Sequence, residues 1–127
     1  MDAIEAMGLH SPENVEFWSA LRGGRFLVRR CASCGEAHWY PRAICPFCFS
    51  TDTRWEDGAG RGTIYSYTIM RRAAVPYAIA FVTLAEGPTM MTNIVDCDFN
   101  RIRIGQPVRL VVRERADGLP LPVFTPA

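Results

Sequence analysis

The chain has 127 residues and a formal net charge of +1 at neutral pH, and 49% of its residues are hydrophobic. This composition is sufficient for a buried core, and the near-neutral charge argues against a strongly basic nucleic-acid binder. All 14 basic side chains are arginines, so the chain can supply neither a Schiff-base lysine, nor a phosphate-loop lysine, nor a Ser-Lys dyad.

No run of the sequence approaches the roughly 18 apolar residues of a membrane span, and no terminal motif suggests lipidation. The first residues lack the basic start and the apolar region of a secretory signal. We therefore expect a cytoplasmic protein that does not bind membranes.

The first predicted element is an N-terminal helix. The opening ten residues give only a weak helical signal, but a stronger start follows, with Ser11 as N-cap, Pro12 at the first helical position and Glu13 in the first turn. This helix should run to about Arg22, where Gly23-Gly24 ends it.

An apolar stripe runs along this helix and is formed by Val15, Phe17, Trp18 and Leu21. The stripe can pack against the chain's own core. A stripe this aromatic near a terminus can also dock on a partner or line a ligand groove, and the sequence leaves both interpretations open. In the second case Phe17 and Trp18 are candidate contacts for a bound cofactor.

Two Cys-x-x-Cys pairs, Cys31 with Cys34 and Cys45 with Cys48, lie close enough in sequence to share one metal ion. Each pair presents two thiolates from one tight bend, and two facing bends complete a tetrahedral site of four sulfurs. Gly35 permits the left-handed backbone that such a bend often needs. The spacing predicts a structural zinc site with these four ligands.

Other chemistries are open to these cysteines. Two disulfides would require an oxidising compartment, and a redox pair would normally begin a helix in a strand-helix-strand unit. Iron in a rubredoxin-like site is chemically possible, because thiolates do not by themselves distinguish iron from zinc. His38 lies between the pairs, but four thiolates already fill a tetrahedron, so we do not expect it to be a ligand. We expect His10 at the surface.

A zinc ribbon is predicted over residues 25–57, after a helical segment over residues 1–24. One short strand, Arg25–Arg30, leads into the first cysteine pair, and another, Ser50–Glu56, leaves the second. Because so small a module cannot bury a sufficient core, metal-thiolate bonding should supply much of its folding free energy.

The remaining residues, 58–127, are predicted to form a five-stranded OB-fold barrel. The glycines of Gly58–Gly62 precede a strand and not a helix, which favours a bend or bulge over a phosphate-binding loop. Five β-rich segments follow, near residues 63–69, 77–84, 89–95, 108–113 and 123–124. Five short antiparallel strands suit a small closed barrel. The predicted fold class is mainly β, with an N-terminal helix, a rubredoxin-like zinc ribbon and a C-terminal barrel.

Arginines of the barrel are candidate anion contacts. Arg71 and Arg72 stand where the first barrel strand gives way to a loop, and loops of OB barrels commonly carry the binding surface. In the strand over residues 108–113, valine and leucine alternate with arginine, which predicts one core face and one arginine face, and the simplest interpretation of the arginine face is that it is solvated.

Nothing in the sequence forms a self-sufficient active site. Cys97 lies between Asp96 and Asp98, whose charges should raise its pKa and keep it unreactive. Neither histidine is tied to a recognisable nucleophile motif. We therefore expect no catalysis by this chain alone.

Taken in order, these motifs resemble a known family. They are Phe17-Trp18, the two cysteine pairs with Gly35 and Pro46, Gly60–Thr68, Glu86–Pro88, Ile104–Val108 and Pro122–Phe124. Over residues 11–127 the chain is similar to the acyl-CoA-associated OB-fold proteins with a rubredoxin-like zinc ribbon, the domain of unknown function 35 (DUF35) family. It departs from the family at Phe49, where glycine is usual.

The resemblance implies an auxiliary protein that binds CoA or acyl-CoA and assembles in a hetero-oligomer with a thiolase-like enzyme of lipid or steroid side-chain metabolism. Such partners include thiolases, the synthase of hydroxymethylglutaryl-CoA, aldolases and CoA-ester hydratases. Zinc would be the structural metal. The alternative is a module for single-stranded nucleic acid, because zinc ribbons and OB barrels both bind single strands, but the near-neutral charge favours a protein without nucleic-acid partners.

Overall fold

The structure of the protein is a computed structural model that describes residues 2–9, 11–40 and 42–127, so the expected surface position of His10 lies outside the described residues. The chain is mainly β, as predicted. Its elements in chain order are α1 (Ala3–Gly8), a 3-10 turn (Pro12–Asn14), α2 (Val15–Arg22), β1 (Leu27–Cys31), β2 (Ala37–His38), β3 (Thr53–Asp57), β4 (Arg61–Met70), β5 (Tyr77–Leu84), β6 (Thr89–Ile94), β7 (Pro107–Glu114) and β8 (Pro120–Pro126).

The chain divides into two compact units. The first comprises the chain up to Ala59 together with Val112–Leu121, and the second comprises Gly60–Val111 and Pro122–Ala127. The first unit therefore contains both helices, the cysteine pairs and the tip of the β7–β8 hairpin. The further separation of the helical segment from the ribbon stays a prediction.

Helix α1 is better defined than its sequence signal predicts. The Asp2 carboxylate accepts hydrogen bonds from the backbone N–H groups of Ile4 (2.7 Å) and Glu5 (3.2 Å), and the Glu5 carboxylate accepts one from the backbone N–H of Asp2. This reciprocal capping box satisfies donors at the start of the helix, and Ile4 is buried. The two acids three residues apart are the signal by which a sequence reading can find this helix.

The second helix ends at Arg22 as predicted but begins later. Ser11 makes no side-chain cap, and Pro12–Asn14 form a 3-10 turn before the α-helix starts at Val15. Ser11 therefore occupies the predicted N-cap position, but of a 3-10 turn, and its side chain does not cap it. Proline fixes φ at a value that suits both helix types, so its presence does not distinguish a 3-10 turn from an α-helix.

Three strands of the first unit form an antiparallel sheet in the order β2-β1-β3. In the central strand, Arg29 pairs with His38 of β2 and with Trp55 of β3. The strand extends to Cys31 because that residue pairs with Thr53, so β1 ends one residue later than predicted. The first cysteine of the cluster, Cys31, is thus the last residue of a hydrogen-bonded strand, which fixes its position.

The other five strands close into a barrel in the order β4-β5-β6-β8-β7, which confirms the predicted architecture. One pairing was expected to be antiparallel and is not: β6 runs parallel to β8, with Ile94 opposite Phe124. An odd number of strands cannot close a ring with every neighbour antiparallel, so at least one parallel pair is required. The barrel interior is filled by apolar side chains, among them Ile64, Ala78, Ala80, Val82, Ile94, Val108 and Phe124.

The glycines before β4 form a bend, in agreement with the sequence reading. Gly60 has a positive φ of 67°, and Gly62 lies inside β4 against β5. A Cβ at Gly62 would lie 2.5 Å from the backbone oxygen of Thr83 and 2.6 Å from Cγ1 of Val82. Glycine at this position therefore permits close packing of two strands rather than the approach of a phosphate.

The predicted burial of alternate side chains of β7 is confirmed only at the start of the strand. Val108 is buried and Leu110 half-buried, whereas Val112 is 37% exposed. From Val112 onward the chain belongs to the first unit, so its alternation no longer follows the barrel interior. Arg109 and Arg113 are exposed, as expected for the opposite face.

Candidate metal centre and arginine surface

The first cysteine turn begins where β1 ends. The backbone N–H of Gly35 donates to the carbonyl of Cys31 (2.9 Å), and the N–H of Cys34 approaches the Cys31 sulfur at 3.5 Å. Gly35 has a φ of 79°, in the left-handed region that glycine adopts without strain. The turn therefore folds both thiols of the pair toward the same side.

The second cysteine turn repeats this pattern. The N–H of Phe49 donates to the carbonyl of Cys45 (3.0 Å), and the N–H of Phe47 lies 3.4 Å from the Cys45 sulfur. Phe49 has a φ of 64°, so it keeps the left-handed conformation although it is not glycine. The departure at this position thus leaves the geometry of the turn unchanged.

The four predicted ligands come together as one cluster. The sulfurs of Cys31, Cys34, Cys45 and Cys48 all lie within 4.8 Å of one another. The Cys31–Cys48 sulfurs are 3.6 Å apart and the Cys34–Cys45 sulfurs 3.7 Å apart. A zinc ion bound to four sulfurs at about 2.3 Å would set them about 3.8 Å apart along each edge of the tetrahedron.

These separations fit a metal and not disulfides. A disulfide joins two sulfurs at about 2.05 Å, and all five cysteines are free thiols here. The cysteines are arranged as a zinc ribbon arranges its ligands, with Cys31 and Cys45 buried and Cys34 and Cys48 exposed.

The electrostatics of the cluster favour a cation. The backbone N–H of Cys34 lowers the pKa of Cys31 to about 6. The N–H of Glu36 acts to lower the pKa of Cys34, but burial and the neighbouring cysteines outweigh it and raise that pKa to about 12. Thiols this close cannot all ionise without a compensating charge, and a divalent cation provides it.

Polar contacts hold the two turns together at their outer side. The hydroxyls of Ser33 and Ser50 are 2.8 Å apart and join one turn to the other. Arg30 donates from Nη1 to the carbonyl of Gly35 (2.7 Å) and from Nε to the carboxylate of Glu56 (2.8 Å). These bonds orient the cysteine turns from outside the sulfur cluster.

His38 is not part of the sulfur cluster, as expected. Its side chain is buried, and neither ring nitrogen has a hydrogen-bond partner among the described residues. Burial lowers the pKa of His38, and the backbone of Arg42 offsets this in part. His38 is therefore a neutral core residue of the ribbon at neutral pH.

The aromatic stripe of α2 is divided between core and surface. Phe17 is 1% exposed, and its ring lies edge-on to those of Trp18 (5.1 Å between centroids), Phe26 (5.8 Å) and Trp39 (5.8 Å). A ring enclosed in this way has no surface to offer a cofactor, in contrast to the ligand contact considered from the sequence. Trp18 is half-buried, and its contact with a ligand stays a prediction.

The predicted arginine pair lies on the loop between β4 and β5, and both side chains are exposed. Arg71 donates from Nη2 to the side-chain oxygen of Asn100 at 3.1 Å. Asn100 belongs to the loop between β6 and β7, which also carries Arg101 and Arg103, both exposed. The sequence analysis did not identify Arg101 and Arg103 as candidates. Their loop meets the loop of Arg71 only in the folded barrel, through the contact with Asn100, and the spacing of these residues in the sequence does not indicate that contact.

Cys97 lies at the start of the same β6–β7 loop. Burial raises the pKa of its thiol, and Asp98 and Asp96 raise it further. The sequence identified the two carboxylates but not the larger contribution of burial. The raised pKa keeps the thiol protonated at neutral pH, as expected of an unreactive cysteine.

In the described part of the chain, no helix is long and apolar enough to cross a membrane.

The chain matches two family models in succession. Residues 18–54 match the rubredoxin-like zinc ribbon domain of ChsH2, and residues 55–113 match the C-terminal OB-fold domain of ChsH2.

Several curated proteins are similar to the chain. A probable enoyl-CoA hydratase alpha subunit from Thermomonospora curvata is 36% identical over 91% of this chain. A DUF35 domain-containing scaffold protein from Methanothermobacter thermautotrophicus is 35% identical over 67% of this chain and 69% of the relative. A 3-oxo-4,17-pregnadiene-20-carboxyl-CoA hydratase alpha subunit from Mycobacterium tuberculosis is 26% identical over 78% of this chain. The chain spans 38% of the length of the Thermomonospora protein and 33% of the mycobacterial one.

Solved structures show the same architecture. The structure named Ltp2-ChsH2(DUF35) aldolase superposes with a TM-score of 0.78 at 35% identity, covering 90% of this chain and 94% of that chain. A DUF35-family protein of unknown function from Sulfolobus solfataricus gives a TM-score of 0.65 at 18% identity, over 85% of each chain. The second similarity supports the fold alone.

Proposed function

Because the chain belongs to the DUF35 family, with the zinc ribbon and OB-fold domain of ChsH2, we propose that it is a non-catalytic subunit of an acyl-CoA enzyme. In this proposal it assembles with a hydratase or a thiolase-like subunit such as a thiolase, a synthase or an aldolase. The partner carries out the chemistry, and this chain helps to hold the CoA thioester.

The similarity to Ltp2-ChsH2(DUF35) aldolase carries the proposal. It extends over nearly the whole of both chains, and the name of that structure joins a DUF35 component to an aldolase. Two curated relatives are alpha subunits of CoA-ester hydratases, and this chain spans about a third of each. We infer that the matched part is the accessory part of those subunits and that it works beside a separate catalytic part.

A structural zinc ion forms part of the proposal. The four thiols of Cys31, Cys34, Cys45 and Cys48 would hold it, and it would supply the cross-link between the two turns. All four positions are taken by thiolates, so no ligand position is left open for substrate. The zinc therefore stabilises the ribbon and takes no part in the chemistry.

The proposal that the chain binds CoA or acyl-CoA rests on exposed basic side chains of the loop between β4 and β5. Arg71 and Arg72 are exposed, and Arg72 takes part in none of the side-chain hydrogen bonds or ion pairs of the described residues. Guanidinium groups pair bidentately with phosphate oxygens, and CoA carries three phosphates. Trp18 remains a candidate contact for the acyl chain or the adenine ring.

Co-expression with a hydratase or thiolase-like subunit from the same organism tests the assembly. We expect a complex that persists through size-exclusion chromatography, turnover by that complex, and none by this chain alone. A CoA thioester should bind the complex more tightly than either part in calorimetry, whereas a single-stranded oligonucleotide should show no saturable binding. Turnover by the isolated chain, or tight salt-sensitive oligonucleotide binding, would contradict the proposal.

A further inference from the structure

Two loops at one end of the barrel carry four arginines. Arg71 and Arg72 belong to the β4–β5 loop, and Arg101 and Arg103 belong to the β6–β7 loop. Arg72, Arg101 and Arg103 take part in none of the side-chain hydrogen bonds or ion pairs found among the described residues. Ion pairs found among the described residues involve other arginines, including Arg22, Arg25, Arg30, Arg54 and Arg115.

The β6–β7 loop is held in place by the barrel. Its Asn100 side chain accepts from Arg71, and the hydroxyl of Tyr67 donates to the carbonyl of Ile102 at 3.1 Å. The N–H of Gly105 donates to the carbonyl of Ile64 at 2.7 Å. These contacts fix the loop to β4, so the arginines of both loops project from one connected surface.

A cavity of about 310 Å³ opens beside these arginines. Arg101 and Arg103 line it together with Cys97, Ile102 and Pro126, so one part of its wall is basic and another is apolar. Asp98 also lines it, but one oxygen of this carboxylate accepts from the N–H of Asn100 at 3.0 Å and is engaged in the loop's own turn. The volume is at the lower end of small-molecule sites and suits a group of about the size of a nucleoside.

We infer that this cavity and its arginines bind the nucleotide end of CoA, with the phosphates on Arg101 and Arg103 and the adenosine against the apolar wall. The inference rests on the proposed function and deepens it, because it names which part of CoA this chain holds. Two unpaired guanidinium groups suit a phosphate better than a single carboxylate, because a phosphate monoester carries up to two negative charges and three acceptor oxygens, enough for a bidentate pair with each arginine. Arg71 and Arg72 extend the basic surface beyond the cavity.

The test compares CoA with dephospho-CoA, which lacks the 3′-phosphate, by calorimetry on the zinc-loaded protein in complex with its partner subunit. The variant Arg101→Ala/Arg103→Ala should bind CoA about tenfold or more weakly than the wild type. It should also lose the preference for CoA over dephospho-CoA that the wild type shows. A second variant, Arg101→Gln/Arg103→Gln, removes the charge but keeps a polar side chain and part of the aliphatic stem, and it should behave in the same way.

The matched control is Arg61→Ala/Arg109→Ala, which removes two exposed arginines that face each other across β4 and β7 and do not line the cavity. This variant has the same net charge as the test variant and should bind CoA as the wild type does. If CoA binds the wild-type complex and the test variant equally, or if the control loses as much affinity, the inference is wrong while the proposed function stands. Absence of CoA binding by the wild-type complex would refute both.

Discussion

Gly35 and Phe49 occupy equivalent positions in the two cysteine turns and share a left-handed backbone, with φ of 79° and 64°. Each donates its N–H to the carbonyl of the first cysteine of its pair. A left-handed conformation costs a residue with a Cβ about 1–2 kcal/mol, and Phe49 is 77% exposed. The second turn therefore carries strain that its own side chain does little to offset.

Replacing Phe49 by glycine should stabilise the zinc-loaded protein. Relief of the strain, less the greater unfolded-state entropy of glycine, should raise the free energy of unfolding by about 0.5–1 kcal/mol. Chemical denaturation at fixed free zinc measures this. The control is Gly35→Ala, which should lower stability by about 1–2 kcal/mol from backbone conformation alone, because nothing lies within 4 Å of the added Cβ. A loss of stability in Phe49→Gly would contradict the account and indicate that the ring packs against the ribbon.

One zinc ion per chain should co-purify with the protein, and elemental analysis measures it. Replacing any of Cys31, Cys34, Cys45 or Cys48 by serine should unfold the ribbon, because three thiolates and a hydroxyl bind zinc far more weakly and binding supplies much of the folding free energy. Cys97→Ser is the matched control and should keep both zinc and fold, since Cys97 lies outside the cluster. A fully folded metal-free wild type, or iron in place of zinc, would overturn the assignment.

The stability of the ribbon should fall with pH below about 6.5 because of His38. Burial lowers the pKa of His38 in the folded chain below its ordinary value of 6.5. As the pH falls through 6.5, the unfolded chain therefore takes up more protons than the folded one, and stability present at higher pH is lost. We expect this loss to be smaller in His38→Leu, measured by denaturation from pH 8 to 5.5.

Both proteins share any weakening of zinc binding caused by protonation of the thiols, so the difference between their pH profiles isolates His38. Neither ring nitrogen has a partner among the described residues, so leucine should be tolerated at high pH. Identical pH profiles would show that His38 is charged in the folded chain or does not titrate in this range.

Short-range patterns predicted the cysteine cluster and the five barrel strands, because cysteine spacing and β-rich segments depend on neighbouring residues. The parallel β6–β8 pair was not predicted, since it is imposed by closure of the barrel and not by either strand. The alternation of core and exposed side chains in β7 ends at Val112 for a similar reason, because Val112–Leu121 belong to the first unit and not to the second. Local sequence does not record either constraint.

The arginine surface shows the same limit. Arg71 and Arg72 could be recognised as a loop pair, but the neighbouring Arg101 and Arg103 come from a loop about 30 residues further along the chain, and only the fold brings the loops together.

The aromatic stripe of α2 was ambiguous for another reason. Periodicity identifies the apolar face of a helix but does not say which of its residues a small core will enclose completely.

Phe17 and Trp18 provide the last prediction, because adjacent aromatic residues here have different environments. Phe17 is 1% exposed amid three other aromatic rings, so Phe17→Ala should lower the free energy of unfolding by about 3–5 kcal/mol. Trp18 is half-buried and should cost less when replaced by alanine, about 1–2 kcal/mol. Thermal or chemical denaturation of the zinc-loaded variants measures both.

The same pair distinguishes a core residue from a docking residue. If Trp18 contacts a ligand or the partner subunit, Trp18→Ala should weaken assembly or CoA binding by more than its loss of stability accounts for, while a milder core variant, Phe17→Leu, should leave both unchanged once folded. Size-exclusion chromatography and calorimetry on the folded variants supply the comparison. Equal stability losses for the two alanine variants would contradict the assignment of Phe17 to the core and Trp18 to its edge. If Trp18→Ala assembles and binds CoA as the wild type does, the role of Trp18 is purely structural.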